Sequence, residues 1–524
     1  VFTWGRLNPV APPTPASNQA PTTVAAAAPS EPEPQPPEEE AGDDTISIAV
    51  LPFTNMSGLA ENQFFSDGIS EEILNTLVRV GGLSVASRTS AFRFRDGDRS
   101  IPEIAGRLGV RYVLEGSVRR DGGDRVRITA QLIDADTDRH LWSNSYDREL
   151  ADIFAVQEEI ARAIADELGA SLELGAEITP DARRTSDATV VELFLRGREL
   201  YRQRGVALYE AINVLEEAVA RDPKFAPAWV ILSQTYQVLP DYFARDDDWQ
   251  TIAASWGKAR YSRSQALMLA PEDHVVRFYH GWQLALLDGD VVNGERVMRE
   301  ALAEDPNNDV LLEDLVELLL RVGQFEEAEA IAARMKEIAP DSAFYTLVLG
   351  RTQAVQGRLE EALATMESAL ALGAQSEFFY ADFLQLLISL GNTGRLGEEL
   401  PGIRAAVAIH PDWVDLEATV DLLEAWLEDG APDRDLATGE RLYFSGSTFL
   451  RAGEFLERDR RGGLPINVFY SDFATPYVEL SEQPAYQDLI RGSGLLAYWT
   501  EFGLPQHCEW QDNAVRCSTG ALLD

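Results

Sequence analysis

Asp134, Asp136 and Asp138 open with the D-x-D-x-D spacing of a calcium loop. The sixth position of such a loop needs a glycine and the twelfth a bidentate glutamate. Here they are Arg139 and Ser145, so the run reads as a strand connection. The five histidines, at 140, 274, 280, 410 and 507, fall into no H-x-x-x-H spacing, and no C-x-x-C occurs, which argues against zinc. Neither a phosphate-cradling G-x-x-x-x-G-K-[ST] nor a G-x-S-x-G elbow is present. The expectation is therefore a non-enzymatic chain without cofactor or metal. Cys508 and Cys517 flank a turn-forming Gln511–Asp512–Asn513. Two readings stay open for them. A disulfide, favoured here, would put the sulfurs about 2.0 Å apart, stabilise by about 2–3 kcal/mol and suit an oxidising compartment. The other reading is a reduced pair in a cytosolic protein.

The elements that must position any site are set by a repeat. Gly289, Gly323, Gly357 and Gly394 each open an apolar helical run, at intervals of 34, 34 and 37 residues. Seventeen residues after three of them come Pro306, Pro340 and Pro411, and Gly357 reaches Ala374 at that offset. This period resembles the helix–turn–helix tetratricopeptide repeat. Trp229, Leu232 and Tyr236 follow its W-x2-L-x3-Y pattern, with Ala259 and Ala266 before Pro271. About six units fill 189–413 as paired antiparallel helices with those four glycines at the turns within units. The second unit carries an insertion around Asp246–Asp247–Asp248, read as solvated charge.

In the resembling family, positions 2, 5, 9, 12 and 13 of each first helix face the concave groove. Those positions give Val310, Glu313, Glu317, Leu320 and Arg321 in the fourth unit. They give Phe344, Leu347, Arg351, Ala354 and Val355 in the fifth, and Phe378 in the sixth. Glu313, Glu317, Arg321, Phe344, Arg351 and Phe378 are the candidate partner-binding residues, suited to a peptide or protein laid in the groove. An unoccupied, solvated groove with the aromatics used for packing remains the other reading.

A chain of 524 residues exceeds one core and implies several domains. Its net charge of −41 argues against general nucleic-acid or anionic-membrane binding. Only three of its 45 basic residues are lysines, a bias that leaves single arginines little weight. No apolar run reaches 18 residues, so none of the chain reads as a membrane span. The start, VFTWGRLNPV, fits the trailing edge of a removed leader or of a membrane anchor upstream of Val1. Residues 1–44, rich in Pro, Ala and Glu, read as a disordered tether, either a working spacer or a tolerated tail.

From 45 to 175 strand and helix signals mix. ISIAVLPF, LSVAS, YVLEGSVRR, DRVRITAQLIDA and HLWSNSYDR are strands, the middle pair hinged at Asp121–Gly122–Gly123. Ile69, Ile73, Leu74, Leu77 and Val80 make one helix face, Ile101–Leu108 is a short helix, and Ile153–Leu168 closes the unit. The ordered blocks SIAVLPF, FFSDGISEEILNTL, SVASRTSAFRF, LGVRYVLEGSVRR, RITAQLIDADTDRHLWSNSYDRE and IFAVQEEIARAI resemble the TolB amino-terminal-like domain. That resemblance implies a bacterial protein whose domain and repeats lie outside the cytoplasmic membrane. It also implies a winged-helix or class III cyclase domain on the inside, upstream of such a pair; neither is part of this sequence.

The expected fold is therefore α+β and multidomain: a small TolB-like α/β domain followed by an all-α solenoid. Residues 414–524 read as a helical and aromatic-rich cap, with helices at 416–428 and 436–457 and an aromatic tail over the open solenoid end. The expected function is protein–protein interaction in the periplasm or envelope, tethered to the inner membrane. The alternative is the sensory half of a cyclase-type or winged-helix regulator.

Overall fold

The computed structural model describes residues 46–429 apart from 59–61, 79, 81, 96–98, 121–124, 170–184, 244–248 and 411–412. Beyond 429 it describes 442–445, 448–451, 487–488, 490–491, 494–505, 508–511 and 514–517. The tether and the triple-aspartate insertion lie outside these residues.

The α/β body follows the alternation of its strands. β1 (Ile46–Val50) lies between β3 (Leu83–Val85) and β4 (Tyr112–Arg120), parallel to both. β4, β5 (Arg125–Asp134) and β6 (Arg139–Glu149) then run antiparallel, and a short β2 (Thr54–Asn55) pairs with β4. Ile48, Val50, Leu114 and Val118 face one side of this sheet. Against them pack α1 (Gln63–Val78), through Ile69, Ile73 and Leu77, and α4 (Ile153–Leu168), through Ile160 and Ile164. Each such aliphatic side chain contributes about 1.5–3 kcal/mol on burial. Leu51 and Val113 point the other way, into a smaller cluster with Ile104 and Ala105 of α3 (Ile101–Leu108). A short α2 (Arg88–Phe92) flanks that face. The Asp134–Asp138 run is the β5–β6 connection. Asp134 accepts from Arg111 at 3.0 Å and from the Thr137 amide at 3.0 Å.

The array is helical throughout its described residues. The pairs are α5 (Ala188–Gln203) with α6 (Ala207–Arg221), α7 (Ala226–Phe243) with α8 (Trp249–Leu269), and α9 (His274–Leu286) with α10 (Val291–Leu302). They continue with α11 (Asp309–Val322) and α12 (Phe325–Ile338), α13 (Ala343–Val355) and α14 (Leu359–Ala371), then α15 (Glu377–Ser389) and α16 (Thr393–Ile409). One cap recurs at the start of successive first helices. Asp273, Asn308, Ser342 and Ser376 each accept from a backbone N–H three residues on, at 3.0–3.2 Å. Within the third unit the two helices touch at Gly281 and Gly294. A Cβ on Gly294 would stand 2.6 Å from the Gly281 carbonyl oxygen, so only hydrogen fits.

Two expectations are corrected here. Gly289, Gly323 and Gly357 hold left-handed turns, but Gly394 lies in the first turn of α16, and Gly391 (φ 63°) makes that turn instead. The helix expected over 436–457 is replaced, where described, by a hairpin of β7 (Leu442–Ser445) and β8 (Thr448–Arg451). This hairpin lies against α17 (Val414–Asp429).

The body and the array meet twice. At α1 and α5, Arg198 donates to the Gly68 carbonyl at 3.1 Å and pairs with Glu72, while Arg202 and Arg88 pair with Glu71. Far along the chain, Ser90 of α2 donates to the Ile338 carbonyl at 3.3 Å, and Arg107 of α3 reaches Asp341 at 3.4 Å. The array's α12–α13 turn therefore returns to the body from which the array began.

The C-terminal tail does not sit over the open end where it is described. α18 (Leu495–Phe502) packs on α10, with Tyr498 and Trp499 buried and the Trp499 indole donating to the Val322 carbonyl at 2.9 Å.

Candidate partner-binding groove

First helices stand side by side in two runs: α5 with α7, and α9 with α11, α13 and α15 in succession. Helical spacing puts Glu313, Glu317 and Arg321 on one face of α11, and Arg321 pairs with Glu317. On the next first helix Arg351 donates through Nε to Asp382 of α15 at 2.8 Å, and its charge acts on Glu313. These four expected residues come together. Phe344 and Phe378 lie on the first turns of α13 and α15 and are 49% and 42% exposed. Leu320, Leu347, Ala354 and Val355, counted into the groove from the repeat, are buried in the core instead, whereas Val310 is exposed.

Several groups at this place escaped the position count. Asp314 and Asp382 both occupy the sixth position of their units. Tyr279 of α9 bonds Asp314, and Arg263 comes from a second helix, α8, outside the positions that the repeat assigns to the groove. Arg263 is 2% exposed, bonds Gln283 at 3.3 Å, and lies 5.7 Å from the centre of the Trp282 ring. Arg204, at the end of α5, adopts φ 60° and ψ −167°, a region that favours glycine. Its guanidinium stacks 4.0 Å from the Tyr201 ring centre, and its charge acts on Glu313 and Asp314. No local sequence signal marks that backbone.

Two acids here, Glu313 and Asp314, hold protons unusually tightly. Burial, then the neighbouring Asp314 and Glu317 charges, push Glu313 well above the usual carboxylate range. Burial and Glu317 push Asp314 up to about 7, against the opposing Tyr279 hydrogen bond and the Arg204 and Arg263 charges. Burial, with the neighbouring Arg260 charge, takes Arg263 down to about 10. The groove floor is thus a near-balanced network, poised to change charge around neutrality.

This gives a signed expectation. Asp314 binds its proton more tightly folded than unfolded, so its favourable contribution is complete below about pH 4. It fades as pH rises through about 7. Asp314→Asn should therefore raise the melting temperature at pH 8, on the order of a few degrees, and leave it unchanged at pH 4. Thermal melts at the two pH values check this. A lower melting point at pH 8 would mean the ionised carboxylate is the stabilising form.

Comparison with known proteins fits the array. Tetratricopeptide-repeat family models match residues 285–349 and 343–368. The model of the HilA/YgeH-like transcriptional regulator second domain matches residues 44–163. A putative adenylate cyclase 3 from Rhizobium meliloti (strain 1021) is 44% identical over 188 residues, 36% of this chain and 32% of that protein. The chain thus matches about a third of the length of that relative. Among solved structures, the type IV pilus biogenesis factor PilW is similar over 42% of this chain and 94% of its own, at 20% identity and TM-score 0.33. TolB from Acinetobacter baumannii is similar over 24% of this chain and 28% of its own, at 17% identity and TM-score 0.18. The chain carries tetratricopeptide repeats, which are protein–protein interaction scaffolds, beside a small mixed α/β sheet.

Proposed function

We propose that the chain is a non-enzymatic, partner-binding module of a bacterial envelope signalling protein. In this reading the α/β body responds to what occupies the groove. The observation that carries it is Phe344. Its half-exposed ring adjoins Tyr345, whose hydroxyl donates to Asp309 and is itself hydrogen-bonded by Thr89 of α2. A peptide anchored on Phe344 would press on the residue that links the array to the body. Aromatic anchors carry much of the energy of such interfaces, and charges set register. Glu313, Glu317, Arg321 and Arg351 supply the charges, with Phe378 as a second aromatic one unit on.

Phe344→Ala tests this directly. Partner affinity, measured by calorimetry on a protein captured from envelope extract, should fall by about 1–3 kcal/mol. The melting temperature should barely move, because an exposed ring contributes little to the core. Unchanged affinity in a folded variant would place the partner elsewhere, most directly on the α/β body.

The six ordered sequence blocks support reading that body as TolB amino-terminal-like. The match to a regulator's second domain and the cyclase relative favour a second reading. In it this chain is the sensory half of a winged-helix or adenylate-cyclase-type regulator, with output from a domain upstream. Support for an oxidising compartment comes from Cys508 and Cys517, which face each other across the antiparallel pair β9 (Cys508–Gln511) and β10 (Ala514–Cys517). With those two joined, alkylation of the native chain should find no free thiol. Two alkylated cysteines would withdraw this support for the periplasm.

A further inference from the structure

The second meeting of body and array encloses a half-open cleft of about 170 Å³, lined from both sides. A single water needs only about 10–15 Å³ on this measure, so a small organic molecule fits. Its charges are unusual for a chain of net −41. Arg93, Arg99 and Arg107 line it from the body, and Asp341 is the one carboxylate in the lining. Lys336, beside Arg93 and Asp341, adds a further cation.

Other arginines of this region are already matched. Arg88 holds Glu71 at 3.0 Å and Arg95 holds Asp67 at 2.6 Å. Arg107 shares Asp341 only at 3.4 Å, with both side chains about half exposed. Arg93 spends one N–H on the Asp341 backbone carbonyl, and Arg99 lies 5.6 Å from the centre of the Phe94 ring. Neither forms an ion pair with a carboxylate among the described residues. The convergence of the arginines, rather than their identity, is what calls for a ligand. Three guanidinium forks with an ammonium close by suit a doubly charged tetrahedral oxyanion better than a single carboxylate. Phe94, Leu108 and Ile338 give the same cleft an apolar wall.

We infer that this cleft binds a small phosphate monoester. Its phosphate sits on Arg93, Arg99 and Arg107, and its organic part lies against Phe94, Leu108 and Ile338. Because α2–α3 and the α12–α13 turn each supply part of the lining, the ligand clasps the body to the array. Occupancy then stabilises this arrangement by mass action. This site is separate from the groove, so its failure leaves the partner-binding reading standing.

Calorimetry on the full chain at fixed ionic strength would titrate phenyl phosphate, inorganic phosphate and benzoate. Phenyl phosphate should bind saturably and more tightly than inorganic phosphate, with benzoate weakest. The R93Q/R99Q double variant should bind phenyl phosphate at least tenfold more weakly. Saturation should also slow hydrogen exchange at the amides of residues 339–345 in the unsubstituted chain. If the double variant melts early, R99Q alone leaves the Arg93–Asp341 bond in place and should still weaken binding several-fold. Absence of saturable heat, or equal affinity in the folded variants, overturns the site. Benzoate binding as tightly as phenyl phosphate overturns its assignment to phosphate.

Discussion

Arg198→Ala should destabilise the chain by about 3–5 kcal/mol, because it strands acids in a place built around a guanidinium. Arg198 is 5% exposed, lies between α1 and α5, and is bonded to Glu72 and to the Gly68 carbonyl. Glu71 beside it is 8% exposed. Burial pushes the Glu71 carboxyl up, but Arg198, Arg202 and Arg88 outweigh it and hold the group at about 2, from an ordinary 4.5. A carboxylate depressed by that much contributes about 3 kcal/mol. The sign follows from proton binding: the contribution is whole above about pH 4.5 and is lost as pH falls through about 2. Urea denaturation at pH 7 and pH 3 reads both effects. The double variant E71Q/R198M should recover part of the loss, since it leaves less buried charge uncompensated. A single variant as stable as the parent would mean that solvent reaches this network.

Much of the architecture could be read from local pattern. The 34-residue spacing located the helix pairs, and the alternating runs around Asp121–Gly122–Gly123 located β4 and β5. Where local pattern misled, a competing signal was overlooked. Ser445–Gly446–Ser447 stands between Leu-Tyr-Phe and Thr-Phe-Leu, a hairpin signature, yet an assumed helical register ran through it. Gly391 and Gly394 both fit a turn by sequence, and only backbone sign separates them. In the groove, counting positions found Glu313, Glu317, Arg321 and Arg351 but missed Asp314 and Asp382, because the sixth position was never counted. Arg263 lies on a second helix, outside the first-helix positions that the repeat assigns to the groove. The cleft was beyond reach of sequence: its two sides lie 248 residues apart at the Ser90–Ile338 bond, and nothing local records that the array returns there.

Trp499→Ala should cost about 3–5 kcal/mol, the loss that accompanies removal of a large buried aromatic. The indole is 2% exposed and belongs to the same apolar cluster as α10 and α11, with Leu495 and Tyr498 beside it. It also caps a helix 177 residues away. The last carbonyls of a helix lack partners within it, and the indole N–H donates to the carbonyl of Val322, the final residue of α11. The Tyr498 hydroxyl is bonded to the Glu295 side chain of α10, so α18 staples two consecutive repeats on their flank. Burial and hydrogen bonding can be separated. Trp499→Phe keeps most of the apolar surface and drops the donor, and should cost nearer 1–2 kcal/mol, part cavity and part unsatisfied carbonyl. Trp510→Ala, on the neighbouring hairpin but 47% exposed, should change stability by no more than about 0.5 kcal/mol. Chemical denaturation of the three variants gives the ordering. If Trp499→Ala unfolds no earlier than Trp510→Ala, the tail is not held on α10 and α11, and the array's stability must come from its stacked units alone.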